Sequence, residues 1–343
     1  MTAPAATLAA ALADAARECA ASPTLPVERW IRPYTPADTT DRHQFLVMLK
    51  PELMRPPGGD PTPPIARVLG LLAAGGVEIG AVRVLSSAFV AEHAVVESHY
   101  PALNRIARRG LAGMSPAALD RLDDACPGFR AAGGRVVGAF PLLDEIAELT
   151  PFALELLTRN SVVVKLGTGT YAIRAWVDGE ELVVLNPFHP QQVAHFTTPG
   201  GAIALLECRA GLALPRIRRD LIGATDPAEA APGSVKGVLY RECASLGLGR
   251  VSTRRNGVHV SPGAVEGMAT MLRYFSVGGP AIRARDTVFG RRLLAAGLTA
   301  ETVAWAASDP FVDDPDRPGP LFELTEDLDW ADAVAFVTAL ERP

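Results

Sequence analysis

Phe45 to Leu49 form an unbroken apolar run that stops at Lys50-Pro51, a short bounded stretch that predicts a buried strand. A Pro/Gly-rich loop over 56–64 follows. Ile65, Val68, Leu69 and Leu72 then recur at helical spacing, and Gly75-Gly76 closes that helix. The pattern next predicts a strand over Val77–Leu85 and a helix over Ser87–Tyr100, with Phe89, Val90, Val96 and Tyr100 as its apolar positions. Further along, Ala202–Glu207 and Val258–Val260 read as strands. Pro262–Phe275 reads as a helix with Val265, Met268, Leu272 and Phe275 on one stripe and Pro262 at its first position. Two strand-helix-strand units of this kind suit an α+β class, a ferredoxin-like four-stranded antiparallel sheet with helices.

The rest of the chain lies outside that pattern. Residues 1–42 read as an Ala-rich helix, Ala5–Cys19, and a Pro-punctuated linker, together an N-terminal extension. Residues 102–186 form a mixed insertion between the two halves of the core, 43–101 and 187–275. Helices are expected there over Ser115–Cys126 and Leu142–Arg159. Strands over Tyr171–Trp176 and Glu181–Leu185 flank Val-Asp-Gly-Glu, a hairpin signal. The C-terminal extension, 276–343, is helical over Thr287–Ala296 and Trp330–Leu340, with an acidic, proline-bearing loop between. No internal repeat is visible.

With 48% hydrophobic residues among 343, the chain can bury a large core. A net charge of −5 argues against a nucleic-acid partner, yet between Arg209 and Arg255 nine Arg or Lys face four Asp or Glu. A local basic stripe in an acidic chain suits a small phosphate-bearing ligand. The cysteines Cys19, Cys126, Cys208 and Cys243 have neither zinc nor disulfide spacing. No apolar run is long enough to cross a membrane, and Asp14 and Glu18 interrupt the only leader-like stretch, so a reduced, cytoplasmic setting is expected. His43, His93 and His195 show no metal-ligand spacing, and the acidic stretch Asp313–Asp329 reads as a solvated loop.

Candidate chemistry lies in two segments, Arg218 to Gly237 and Arg255-Asn-Gly-Val-His-Val-Ser261, which place cations, backbone amide donors and one histidine near each other in the chain. Together with Phe45-Leu-Val-Met-Leu-Lys-Pro51 they resemble the nucleoside diphosphate kinase family. The resemblance covers about 150 residues and rests on Lys50-Pro51, His99-Tyr100, and the spaced set Arg219, Gly223, Thr225, Pro227, Pro232-Gly233 and Lys236-Gly237. Asn256-Gly-Val-His259 completes it.

It implies a ping-pong transfer in which His259 is the nucleophile, a role that needs a neutral attacking nitrogen held in one tautomer. Lys50, Arg219, Thr225, Lys236 and Asn256 would hold phosphates and ribose, Tyr100 would support His259, and His189 would contact the base. Mg²⁺ would arrive with ATP, without a protein metal site. The acceptor would be a nucleoside diphosphate or a dedicated small molecule. The resemblance implies a homo-oligomer, a hexamer or tetramer in the family; the added insertion and two extensions argue for fewer subunits, down to a dimer.

The chain departs from the family in several places. Thr270 stands where the family has the glutamate that orients its histidine, while Glu266 lies one turn earlier on the same helix face. Val260 replaces a glycine, Pro262 an aspartate, and Lys236 an arginine, which loses the bidentate fork but keeps the charge. About ten extra residues separate Lys236 from Asn256. These departures leave a second reading open, a nucleotide-binding interaction or regulatory module without turnover.

Overall fold

The computed structural model describes residues 3–36, 42–279, 281–314 and 317–340 of a mixed α/β chain. It divides into two compact units, Met1–Phe89 with Pro199–Pro343, and Val90–Thr198.

The first unit is built on five strands, β1 (Glu28–Arg32), β2 (His43–Leu49), β3 (Glu78–Ser86), β4 (Ala202–Ala210) and β5 (Val258–Val260). Their order is β1-β3-β4-β2-β5, and every neighbouring pair is antiparallel. The apolar run of β2 is thus a central strand, buried at all seven positions. Its alternate residues face opposite ways, as a pleat requires. Phe45, Val47 and Leu49 enter the same core cluster as Val258 and Val260, while Met48, paired with His259, faces the other side.

Helix α1 (Ala3–Ala21) corrects the expectation of an appended N-terminus, because Leu8, Leu12 and Cys19 lie in the same core as Phe45 and Leu69. The many alanines let the helix approach closely, and each buried leucine contributes about 1.5–3 kcal/mol. Strand β1 was not foreseen. Its Glu-Arg-Trp-Ile-Arg pattern lacks the alternation of a half-buried strand, and it lies at the sheet edge as only a partly buried element. Helix α2 (Thr62–Ala74) buries Ile65, Val68, Leu69 and Leu72 as their spacing predicts.

Two further helices matter for the site, α3 (Val235–Arg241) and α4 (Ala264–Tyr274). Gly263, not the residue before Pro262, is the N-cap of α4, so the helix starts two residues beyond the expected point. The C-terminal segment adds Val288–Ala295, Ala300–Ala307, Leu321–Thr325 and Trp330–Ala339 to the same core, through Phe289, Val303, Leu321 and Val337.

The second unit has its own mixed four-stranded sheet, in the order Arg135–Gly138, Glu180–Leu185, Thr170–Val177 and Val164–Gly167. The first pair is parallel and the others are antiparallel. Ile173 and Val184 face one apolar cluster and Ala172 and Val183 another, so both sheet faces are covered and the run Leu182-Val-Val-Leu185 is continuously apolar. Asp178 and Gly179 have φ of 50° and 80°, the conformation that a two-residue hairpin turn needs. The helix expected over Leu142–Arg159 is two helices, Ala139–Glu145 and Pro151–Arg159, because Thr150 caps the second and Pro151 opens it. Sequence reading set the insertion at 102–186; the compact unit is wider and takes in the residues from Val90 to Pro101 and from Pro187 to Thr198.

Candidate functional site

The centre of the candidate site is the end of β2 against β5. Lys50 continues the extended backbone of β2, with φ −81° and ψ 165°, and its N–H donates to the Gly257 carbonyl at 2.9 Å. By strand alternation its side chain emerges on the face that Met48 and His259 share. There its ammonium donates to Asn256 Oδ1 at 2.7 Å. The Asn256 amide in turn donates to the carbonyls of Thr225, at 3.1 Å, and Thr253, at 3.0 Å. Glu52 accepts the Gly257 N–H at 2.8 Å. Gly257 is required here: its φ is +79°, and a Cβ would run into Leu239. Burial pulls the Lys50 ammonium below the ordinary lysine range, and Glu52 offsets part of that.

Lys236 comes from the first turn of α3, which Ser234 caps by accepting the Gly237 N–H. Its side chain is 7% exposed. Burial first, then repulsion from Lys50 and Arg218, pulls its ammonium from 10.5 down to about 8. Two cations from other stretches of chain, Lys50 and Arg218, therefore act on Lys236. No carboxylate is among the causes that move Lys236.

Arg219 is exposed and bound to Asp327 at 2.5 Å. Its neighbour Arg218 lies 2.7 Å from both Glu326 and Asp327. Sequence reading placed these two acids in a solvated loop; instead they hold the arginines. Thr225 is exposed and joins the site through its backbone carbonyl.

His259 lies between two buried valines on β5, with a side chain 22% exposed. Its Nε2 faces Glu266 Oε1 at 3.9 Å, from the first turn of α4. Thr270 is turned elsewhere. It is fully buried, shares a hydrogen bond with Ser261 at 3.0 Å and donates to the Gly267 carbonyl at 2.8 Å. The Ser261 hydroxyl also accepts the Leu46 N–H, so it pins β5 to β2. A helix N-terminus favours a charged carboxylate. Burial outweighs this for Glu266, and with Asp309 and Glu326 nearby its carboxyl is pushed up to about 8, against opposing pulls from Arg273 and Arg218.

Tyr100 and His189 belong to the second unit. Tyr100 joins two short helices, Val95–His99 and Pro101–Arg109, and meets His99 edge-on at 4.4 Å. The single helix expected over Ser87–Tyr100 is broken at Ala94, which has φ +45°. His189 opens the helix His189–Thr197 and is buried, edge-on to Phe140 and 3.2 Å from Gln192 Oε1. Burial, chiefly, holds its imidazole below the usual range. The structure therefore gives His189 a packing role within that unit.

Lys50, Lys236, Asn256, Thr225 and His259 thus share the first unit with Arg219, while Tyr100 and His189 do not. Arg218, Glu326, Asp327 and Asp309 were not among the residues assigned a role from sequence. Arg218 alone carried a signal, as a second arginine beside Arg219. No protein-family model matches the chain, and a search of curated proteins found no match.

Proposed function

We propose that the chain is a phosphotransferase resembling nucleoside diphosphate kinases, moving the ATP γ-phosphoryl group through His259 to a nucleoside diphosphate or a related dedicated acceptor. The observation that carries this reading is the hydrogen bond from Lys50 to Asn256. It ties the end of β2 to a residue 206 positions away and three before His259. A ferredoxin-like reading of the core is supported by the order β3-β4-β2-β5, all antiparallel, with helix-bearing segments between β2 and β3 and between β4 and β5.

In this reading the attacking atom is a ring nitrogen of His259. It donates its lone pair to the γ-phosphorus as the bond to the bridging oxygen breaks, and ADP leaves with that electron pair. The acceptor oxygen then attacks the phosphorus, and the P–N electrons return to the ring. Lys50, Lys236, Arg218 and Arg219 would meet the phosphate oxygens, where charge must be absorbed in a loose transition state. Such a cationic donor set fits Mg²⁺ only as its nucleotide complex, with phosphate oxygens and water as ligands.

A second reading, nucleotide binding without turnover, is favoured by one observation: a Glu266 carboxyl raised to about 8 is mostly uncharged at neutral pH, a weak partner for an imidazole that must become cationic. Incubation with Mg²⁺ and γ-labelled ATP separates the two. Acid-labile, base-stable label on wild type and none on His259→Ala is the expected result, with chase onto GDP or UDP marking a nucleoside diphosphate acceptor. Label that no diphosphate removes points to a dedicated acceptor. Nucleotide binding with no label overturns the phosphotransferase in favour of the binding module.

A further inference from the structure

The arginines that the proposed transfer would use are already engaged. Arg218 contacts Glu326 and Asp327 at 2.7 Å each, and Arg219 contacts Asp327 at 2.5 Å. The two acids lie on a short crossing segment. Before it, the helix Leu321–Thr325 ends with the Thr325 hydroxyl on the Leu321 carbonyl at 2.8 Å. After it, Asp329 accepts the Trp330 N–H at 2.7 Å and pairs with His43 at 2.9 Å. Between these anchors the segment lies over the residues that follow His259. The Asp327 N–H donates to the Pro262 carbonyl at 3.3 Å, and a Cβ on Gly263 would come within 2.9 Å of the Thr325 carbonyl oxygen.

Asp327 itself has φ +64°, in the left-handed region that a residue other than Gly, Asn or Asp rarely occupies. The segment therefore makes a left-handed turn, one that Asp accepts, at the point where its carboxylate meets both arginines. Carboxylate and phosphate oxygens both take a guanidinium through charge-assisted, often bidentate hydrogen bonds, so one can replace the other there.

We infer that Glu326 and Asp327 form an internal stand-in for phosphate, an autoinhibitory latch that a polyphosphate chain must displace from Arg218 and Arg219. This rests on the proposed phosphate site, and it adds that the site is closed at rest by the chain's own C-terminal segment. Binding and latch opening are then one exchange of anions. The contacts are partly exposed, with side chains between 24% and 67% accessible, so each is individually weak. Together they should hold polyphosphate affinity down by about tenfold.

Titration calorimetry with inorganic tripolyphosphate on wild type and on Glu326→Gln/Asp327→Asn tests the competition. Both substitutions are isosteric, and Asn tolerates the left-handed conformation as well as Asp. The expected result is a Kd about tenfold lower in the double variant. Equal affinity, or tighter binding by wild type, overturns the latch and leaves the phosphotransferase proposal standing; no binding by either chain overturns both. Hydrogen exchange gives a readout that needs no ligand. Arg218→Gln should speed exchange at the amides of 326–328 in the free protein, and unchanged exchange there identifies a static structural clamp and refutes the latch.

Discussion

Replacing Lys236 by methionine keeps an unbranched side chain, one atom shorter, and removes its charge. Burial and the nearby Lys50 and Arg218 pull that ammonium from 10.5 to about 8. The difference corresponds to about 3 kcal/mol by which the fold disfavours the charged form, at ~1.4 kcal/mol per pH unit. The side chain is only 7% exposed, so solvent screens little of this. Below pH 8 the lysine is charged in both folded and unfolded chains, and the whole penalty falls on the fold. Between about 8 and 10.5 the folded chain loses the proton while the unfolded chain keeps it, so stability rises with pH. Lys236→Met should therefore be more stable than wild type at pH 7, by up to about 3 kcal/mol or roughly 5 °C in Tm. That advantage should shrink as pH rises through 8 toward 10. The same variant should bind tripolyphosphate more weakly, since it trades a phosphate contact for stability. Thermal unfolding of both proteins over pH 7–10, with calorimetry at pH 7, measures both effects. A variant no more stable than wild type at pH 7, or an advantage that does not change with pH, would refute the account of Lys236 as a buried ammonium that the fold keeps below its ordinary range.

Two further substitutions probe the framework of the site. Gly237→Ala places a Cβ against the Ala231 carbonyl, where backbone must move, and should cost about 1–3 kcal/mol in chemical denaturation while weakening polyphosphate binding through the displaced Lys236. Glu266→Gln should flatten a pH dependence: in wild type, ionising Glu266 inside the fold near 8, against 4.5 outside it, lowers stability as pH rises from about 4.5 to 8, and the variant should lack that decline in a Tm-against-pH series. A wild-type curve that rises through this interval relative to the variant would reverse the assignment.

How legible this was from sequence depends on what each element packs against. Strand β2, helix α2 and the Asp178-Gly179 hairpin have one dominant environment, and their periodicity or turn chemistry states it directly. Strand β1 has two, core and solvent, on a short edge, so its sequence looks like a linker. The break at Ala94 has no proline or glycine to mark it. The helix Ala300–Ala307, capped by Thr299, lay inside what reads as an acidic loop, because its buried residues Val303 and Ala306 are too few to dominate the pattern. At the site, it was the resemblance that joined Lys50, Lys236, Asn256 and His259 into one expected set. The acids that meet Arg218 and Arg219 sit 108 residues beyond Arg219 and show no local signal, since long-range ion pairs leave no period. His189 has the same difficulty in reverse: a short polar helix start conceals a buried ring.

The fold disfavours the charge of two groups of opposite sign, Lys236 and Glu266. Burial, then repulsion from Lys50 and Arg218, holds Lys236 below its ordinary value. Glu266, facing the imidazole at 3.9 Å, lies above its own because of burial first and then Asp309 and Glu326 beside it. A neutral ligand relieves neither. An anion entering against the cations relieves the first, and displacement of Glu326 from Arg218 removes one of the acids that hold Glu266 uncharged. Positive charge developing on the His259 ring would relieve the second directly, since Glu266 would then ionise against a cation. Phosphoryl transfer to His259 requires both events in one encounter, polyphosphate against the lysines and a cationic ring against the carboxyl. Simple nucleotide binding requires only the first. A Glu266→Gln variant that binds tripolyphosphate as wild type does but accumulates less label on His259 would assign the second imbalance to the transfer step. Equal loss in binding and labelling would assign Glu266 to the architecture of the site alone.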